Sequence, residues 1–293
     1  CSGDDAIFTI SGTPNDIIDY NINGGATEQV TVDASGNAIV TLTGVTANQT
    51  ITLEQITSAA TSCTAPLADT DTVIVNPSPT ATVASNTDIC SGDDAIFTIT
   101  GTTASVVNYN INGGGTLQTT LDASGESIIT IIGATTNQVL TLESIVDSST
   151  TCNAILTEST TVVVNPNPTV VLSSNTAVCN GDDAVFTISG DAGDIVDYNI
   201  NSGATEQVAI DVTGEAIVTI IGVTSSQTIT LESVINPTTS CSSILSDTNT
   251  VTIEPSPFVT GLTTNTDICS GDDAIFTISG TPNDIIDYNI NGG

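Results

Sequence analysis

An all-β fold, built as a tandem array of antiparallel β-sandwiches, is what this sequence predicts, and three observations predict it. The first is self-similarity. Residues 1–25, CSGDDAIFTISGTPNDIIDYNINGG, return unchanged as residues 269–293, an offset of 268, and diverged copies begin at Cys90 and Cys179. A period near 90 residues marks stacked units rather than one globular body. The second is alternation of apolar and polar residues in short runs, each closed by Gly, Asn or Pro, with almost no helix signal. The third is punctuation. Val75-Asn76-Pro77-Ser78-Pro79, Val164-Asn165-Pro166-Asn167-Pro168 and Ile253-Glu254-Pro255-Ser256-Pro257 recur every 89 residues. Two prolines fix φ twice and make a short, stiff junction. The repeats are therefore residues 1–77 (lacking a first strand), 78–166, 167–255 and a partial 256–293. The chain is expected to be a window on a longer protein whose super-repeat is three units long.

The first repeat justifies its strands in order. Ala6 to Ile10 is a strand, turned at Ser11-Gly12-Thr13-Pro14. Ile17 to Ile22 follows and turns at Asn23-Gly24-Gly25. Gln29 to Val32 is short and ends at Asp33-Ala34-Ser35-Gly36. Ala38 to Thr43, Thr50 to Ile56 and Thr72 to Val75 complete the set, and Thr80 to Ala84 leads the next repeat. Period two places Phe8, Ile10, Val40, Leu42, Ile51, Leu53, Val73 and Val75 inward. Thr9, Thr41, Thr43, Thr50, Thr52 and Glu54 then face outward. Seven short strands in 89 residues read as an immunoglobulin-like seven-stranded sandwich. The pairs Phe8/Tyr20, Phe97/Tyr109, Phe186/Tyr198 and Phe276/Tyr288, each 12 apart, suit core positions on the second and third strands. One aromatic per strand makes core packing the reading, ahead of a sugar-stacking platform. A unit of this size is marginal alone, so neighbour contacts and disulfides are expected reinforcements.

Composition narrows function. The chain has 33 Asp and Glu and no Lys, Arg or His. An average chain of this length carries about 35 basic residues. No side-chain salt bridge can form, and the electrostatic route to nucleic acid or to an anionic membrane is closed. Acidic residues are only 11% of the chain and hydrophobic ones 39%, so it is a folded protein with a soft negative surface rather than a disordered tail. No apolar run is long enough for a membrane-spanning helix. Without His, Lys or Arg most acid–base and oxyanion constellations are missing, so an enzyme is not expected.

The remaining candidates are carboxylates, modification motifs and cysteines. Asp4-Asp5, Asp93-Asp94, Asp182-Asp183 and Asp272-Asp273 open each repeat. Adjacent strand residues point to opposite faces, so these pairs do not converge on a substrate as a glycosidase requires. They are candidate calcium ligands, with Asp69 and Asp71 a weaker site, but no DxDxDG loop occurs and a polar turn is the simpler reading. No other cofactor is implied. Asn48-Gln49-Thr50 is an N-glycosylation sequon, and Asp71-Thr72-Val73 makes Thr72 a candidate for O-glycosylation. Seven cysteines fall in a regular pattern: Cys1 to Cys63, Cys90 to Cys152 and Cys179 to Cys241 are each 62 apart, leaving Cys269. With no CxxC and no His, disulfides in an oxidising compartment are expected rather than zinc.

Pro-x-Pro, a strand, Cys-x-Gly-Asp, an apolar strand, Tyr-Asn-Ile-Asn-Gly-Gly, a second Cys and Val-Asn-Pro together give each repeat its signature. The pattern resembles the immunoglobulin-like and PKD-like repeats of giant cell-surface proteins of Bacteroidota, including gliding-motility adhesins. That resemblance implies a long extracellular filament exported by the type IX secretion system. Its partners would be the surface motility or secretion machinery and an external substratum, engaged through other regions.

Two disulfide patterns remain open. In an immunoglobulin-like sandwich the first cysteine lies between the first two strands and the second between the last two, at opposite ends. Strands of five to seven residues separate those ends by about 20 Å, and a disulfide needs Cα atoms within about 7 Å. That argues for pairing across junctions, Cys1–Cys152 and Cys90–Cys241. The alternative is pairing within repeats, Cys1–Cys63, Cys90–Cys152 and Cys179–Cys241. The functional expectation is a structural stalk that forms an extended fibre and touches mainly its own neighbouring repeats. The rival is a module whose Thr-rich faces or loops themselves bind glycans or surfaces.

Overall fold

The computed structural model describes residues 1–291, and its elements are β-strands throughout. The last two residues of the fourth repeat lie outside the described residues. The chain forms two compact units, Cys1–Val164 and Asn165–Gly293.

The second repeat, within the first unit, shows the plan. One sheet places Ala95–Gly101 between Ala81–Ser85 and Glu126–Ile131, all antiparallel. The facing sheet runs Leu117–Thr120, Val106–Ile111, Gln138–Val146. The long strand Gln138–Val146 then pairs along one edge with both Asn153–Ile155 and Ser159–Val162. Alternation produces the interior: Ala95, Phe97 and Ile99 are fully buried, while Ile96 between them is 37% exposed. Their facing layer is Val107, Tyr109, Leu140, Leu142 and Ile145. Fully burying a Phe or Leu is worth roughly 1.5–3 kcal/mol, so this one cluster carries most of the repeat's hydrophobic stabilisation.

In the second unit the third repeat copies the plan. Val170–Ser174, Ala184–Gly190 and Glu215–Ile220 form one sheet. Glu206–Ala209, Ile195–Ile200, Gln227–Ile235 and Thr248–Glu254 form the other. Here Ala177–Cys179 adds in parallel to Thr248–Glu254, so the start of the repeat contributes to both sheets. In the first repeat Ala6–Ser11 pairs with Asn37–Leu42, with no strand on its other edge among the described residues. In the fourth, Val259–Thr264 pairs with Phe276–Gly280, and Phe276 and Tyr288 are 52% and 74% exposed.

Three details differ from the sequence expectation. The last strand of the first repeat is Thr70–Val73 rather than Thr72 to Val75. Each of the first three repeats carries an extra three-residue strand, too short for alternation to announce it; Thr64–Pro66 in the first is exposed throughout. Finally, the long strand of each sandwich is bulged. Asp19 lies opposite Gln55 but Tyr20 lies opposite Leu53, so Glu54 is the unpaired residue. The shift recurs at Asn108/Tyr109 and Asp197/Tyr198. A bulge reverses the parity of the strand. That is why Leu140, Leu142 and then Ile145 are all buried, two and three residues apart.

Candidate functional site at the repeat junction

Each repeat carries the same Cys-x-Gly-Asp turn, placed after the first strand where that strand is present. The backbone N–H of Cys90 donates to Asp93 Oδ2 at 3.2 Å, and Asp93 N–H donates back to the Cys90 carbonyl at 3.0 Å. The same pair of bonds forms at Cys179 and Asp182 and at Cys269 and Asp272. At the first repeat the α-ammonium of Cys1 takes the donor role to Asp4, at 3.1 Å. The intervening glycines have φ between 94° and 103°, the left-handed region where a side chain is strained.

The second aspartate of each pair serves a different turn. Asp5, Asp94 and Asp183 each accept a backbone N–H, from Gly44, Gly133 and Gly222 respectively, at 2.9 Å. The two carboxylates of a pair thus tie down two separate loops, the work of a turn scaffold. The described residues contain no group of three or more His, Cys, Asp or Glu placed to hold a metal ion. Asp71 caps its neighbour Thr72 N–H at 2.8 Å.

The second cysteine sits in a loop of equally constant form. Residue 58 donates to the Cys63 carbonyl at 2.9 Å and accepts from Ser62 N–H at 2.8 Å. Asp147 with Cys152 and Thr151, and Asn236 with Cys241 and Ser240, repeat those bonds. Ser62, Thr151 and Ser240 all have φ near 60° (58°, 60° and 62°).

These loops meet in the first unit. Cys1 is bonded to Cys152, with an S–S length of 2.02 Å and a Cα–Cα distance of 5.5 Å. The bond joins the opening turn of the first repeat to the late loop of the second. The within-repeat pairs Cys1–Cys63 and Cys90–Cys152 are therefore not formed. Cys179 is a free thiol, so Cys179–Cys241 is not formed either. The physical reason is the one set by topology: the two cysteine loops of one sandwich lie at opposite ends of its strands. Cys90 and Cys241 are both oxidised. Cys63, Cys179 and Cys269 are free and exposed, whereas Cys152 and Cys241 are fully buried.

The modification candidates have structural roles. Asn48 Oδ1 accepts the Val75 N–H at 2.8 Å, and Asn137 does the same for Val164. The Thr72 hydroxyl lies 2.8 Å from that of Thr50 across the strand pair. Both residues are exposed, Asn48 just ahead of the long strand Gln49–Thr57 and Thr72 on Thr70–Val73, which pairs with it.

Sequence reasoning missed the clamp that the bulge creates. The bulge residue Glu54 takes the Asn21 amide at 2.8 Å on one oxygen and the Thr27 hydroxyl at 2.6 Å on the other. Glu143 and Glu232 hold Asn110 with Thr116, and Asn199 with Thr205, in the same way. Hydrogen bonds from Thr27 and then Asn21 keep the Glu54 carboxyl below its usual range. Beside it, the Tyr20 and Tyr198 hydroxyls donate to Glu28 and Glu206. The middle repeat has Leu117 opposite Tyr109 and makes no such bond.

No protein-family model matches the chain, and no curated protein matches it. Similar solved structures include a marsupial T cell receptor, at 8% identity over 64% of this chain and 78% of that one, with a TM-score of 0.38. The N-terminal four Ig domains of Dscam1 isoform 4.4 are similar at 12% identity over 87% and 70%, TM-score 0.27. Escherichia coli alpha-2-macroglobulin activated by porcine elastase is similar at 10% identity over 89% of this chain but 32% of that one, TM-score 0.28. The class is set by the sheets themselves: tandem immunoglobulin-like β-sandwiches joined by a disulfide.

Proposed function

We propose that these repeats are structural units of an extracellular filament, the stalk of a surface protein used in attachment or gliding motility, and that they have no catalytic role. The observation that carries the reading is the Cys1–Cys152 disulfide, which ties one sandwich to the next in addition to the Pro-x-Pro linker. Disulfides of this kind belong to oxidising, extracellular compartments. A bond across a junction resists tension between repeats, which matters to a tether and little to a soluble binding domain. The resemblance of the repeat signature to giant Bacteroidota surface proteins, exported by type IX secretion, supports the same reading.

Single-molecule stretching tests it. The disulfide closes a loop of 151 residues, which at roughly 3.5 Å per residue withholds about 500 Å of chain from extension. Oxidised molecules should reach a contour length shorter by at least that amount than reduced ones, at forces that unfold the sandwiches. Equal extensions in the two states would remove the mechanical argument.

A second reading has its own observation. The outer face of the sheet containing Ala6–Ser11 exposes Ile7 and Ile39, at 58% and 60%, among threonines. Ile128 and Ile217 repeat this at 62% and 61%. An Ile/Thr surface of this kind, edged by Glu126 and Glu215 in the second and third repeats, suits adhesion to glycans or abiotic surfaces. Retention of the purified chain on glycan arrays or hydrophobic beads would favour this second role.

A further inference from the structure

We propose that Asn23 and Asn112 are latent deamidation sites, kept chemically silent by the side chains of Asn21 and Asn110 and modified when their turns open. Both residues precede glycine, the neighbour that hinders attack least, and both are exposed to water. Deamidation joins the glycine nitrogen to the Asn side-chain carbonyl carbon, Cγ, and expels ammonia. Water then opens the succinimide ring at either carbonyl, giving Asp or isoaspartate. One amide and one water become one carboxylate and one ammonium, with no oxidant or other reactant. Two things must happen first. The glycine N–H must give up its proton, and the carboxamide must swing onto the glycine nitrogen.

The fold blocks both steps. Asn23 and Gly24, with φ of 56° and 70°, are the central residues of a tight turn closed by the Gly25 N–H donating to the Ile22 carbonyl at 2.9 Å. Positive φ at both positions is what selects Asn-Gly there. The nucleophile is engaged, because the Gly24 N–H donates to Asn21 Oδ1 at 2.9 Å. The carboxamide is held toward the neighbouring strand: Asn23 Oδ1 accepts the Thr50 N–H and Nδ2 donates to Gln49 Oε1, both at 2.8 Å. A backbone N–H can only donate, so each of these carboxamides has one permitted orientation. Asn21 is fixed in turn by the bulge residue, its Nδ2 donating to Glu54 Oε1 at 2.8 Å. The second repeat reproduces the set. Gly113 N–H donates to Asn110 Oδ1 at 3.0 Å, and Asn110 Nδ2 donates to Glu143 Oε1 at 2.9 Å. Asn112 Oδ1 accepts the Val139 N–H and Nδ2 donates to Gln138 Oε1, both at 2.8 Å. The third repeat keeps the bonds but has Ser202 in place of the glycine, its N–H donating to Asn199 Oδ1 at 3.1 Å. The serine side chain crowds that nitrogen, so Asn201 is an internal comparison.

Reaction writes the opening into the chain. Asp or isoaspartate at position 23 still accepts the Thr50 N–H but has no N–H to give Gln49. Isoaspartate also carries the backbone through the former side chain, lengthening the turn by one carbon. A turn that stays open long enough to react therefore closes on a different set of bonds.

The test incubates the full, oxidised chain in mildly alkaline buffer, native and in guanidinium chloride. Mass spectrometry after cleavage at acidic residues follows the peptides containing Asn23, Asn112 and Asn201. Three hydrogen bonds of ordinary net strength set a factor on the order of a hundredfold, so Asn23 and Asn112 should react about that much more slowly native than unfolded. In guanidinium chloride Asn201 should be the slowest of the three. Asn110→Ala frees the Gly113 N–H and should accelerate Asn112 in the native protein about fivefold, the factor set by one bond, with Asn23 unchanged. Asn21→Ala should do the converse. Hydrogen exchange of Ile17–Ile22 and Val106–Ile111 checks that both hairpins stay closed in the variants. Native rates equal to unfolded ones, a variant without acceleration at its own turn, or acceleration only where strand protection is also lost would each overturn the proposal.

Discussion

The third repeat carries a buried carboxylate that the fold has left without a donor, and relieving it should stabilise the protein. In the first repeat Asp16 is 9% exposed and accepts the backbone N–H of Ala59 at 3.0 Å. The equivalent residues 178 positions later are Asp194 and Pro237. Proline has no N–H. Asp194 is fully buried and neither of its carboxylate oxygens has a hydrogen-bond partner. Asn236 lies close enough to pull its carboxyl part of the way back down but makes no well-formed bond; burial first, then repulsion from Asp191, hold the carboxyl above its usual range. An orphaned buried polar group costs about 1–3 kcal/mol, more if charged. Asp194→Asn should therefore stabilise the third repeat by about 1–3 kcal/mol at neutral pH. The sign with pH follows from the raised folded value. Wild type loses stability as pH rises from the ordinary aspartate range through that value, so the advantage of the variant should shrink toward zero in acid. Pro237→Ala should restore the donor and remove most of the benefit of Asp194→Asn in the double variant. The loss of proline rigidity in the unfolded chain offsets about 0.4–1 kcal/mol of its own gain. Ala59→Pro should reproduce the defect in the first repeat. Hydrogen exchange read by mass spectrometry, peptide by peptide and against pH, is the assay. An Asp194→Asn protein no more stable than wild type at pH 7 would refute the reasoning.

Other outcomes follow from the same structure. Gly101→Ala would drive a Cβ into the Thr80 carbonyl and to 2.8 Å from Ala81 Cα, so it should cost at least about 1–3 kcal/mol in urea unfolding. Gly12→Ala meets only side chains, Val32 nearest at 3.1 Å and Ile18 at 3.8 Å, and should cost less. Bonds from the Ser124 hydroxyl, then Glu126 N–H, hold Asp122 below its usual range. Stability from that turn is present above the ordinary aspartate value and lost as pH falls through the depressed one. Asp122→Ala should thus lower the melting temperature at pH 7, with the gap closing in acid. Cys152→Ser opens the 151-residue loop and should cost about 5 kcal/mol on the chain-entropy model, measured by denaturation of the first unit.

The parts of this fold written locally were legible in the sequence. Asx turns such as Asp33-Ala34-Ser35-Gly36 announce themselves, since the Asp33 carboxylate caps Ser35 and Asn37 within a few residues. Alternation placed Phe8, Ile10 and Val40 inside correctly. The bulge was missed because strict alternation holds only as far as Glu54; its trace is the two-then-three apolar spacing that follows, Ile51, Leu53 and Ile56, repeated at Leu140, Leu142 and Ile145 and at Ile229, Leu231 and Val234. The strand Thr64–Pro66 is exposed and holds a proline, so nothing in its pattern signals pairing. Asp194 illustrates a middle case. The change from Ala59 to Pro237 is plain when repeats are aligned, but its meaning depends on a contact 43 residues away that only the fold supplies.

The disulfide between repeats also bears on how the chain ages. Cys1 and Cys152 are 151 residues apart in sequence and covalently joined through their side chains. A protease that cuts one peptide bond anywhere between them leaves two fragments still connected. Trypsin-like enzymes have no Lys or Arg to cut after in any case. Severing the chain across that span requires two chemically different events, hydrolysis of the backbone and reduction of the bridge. This wiring gives redundancy against proteolysis: damage accumulates before continuity is lost.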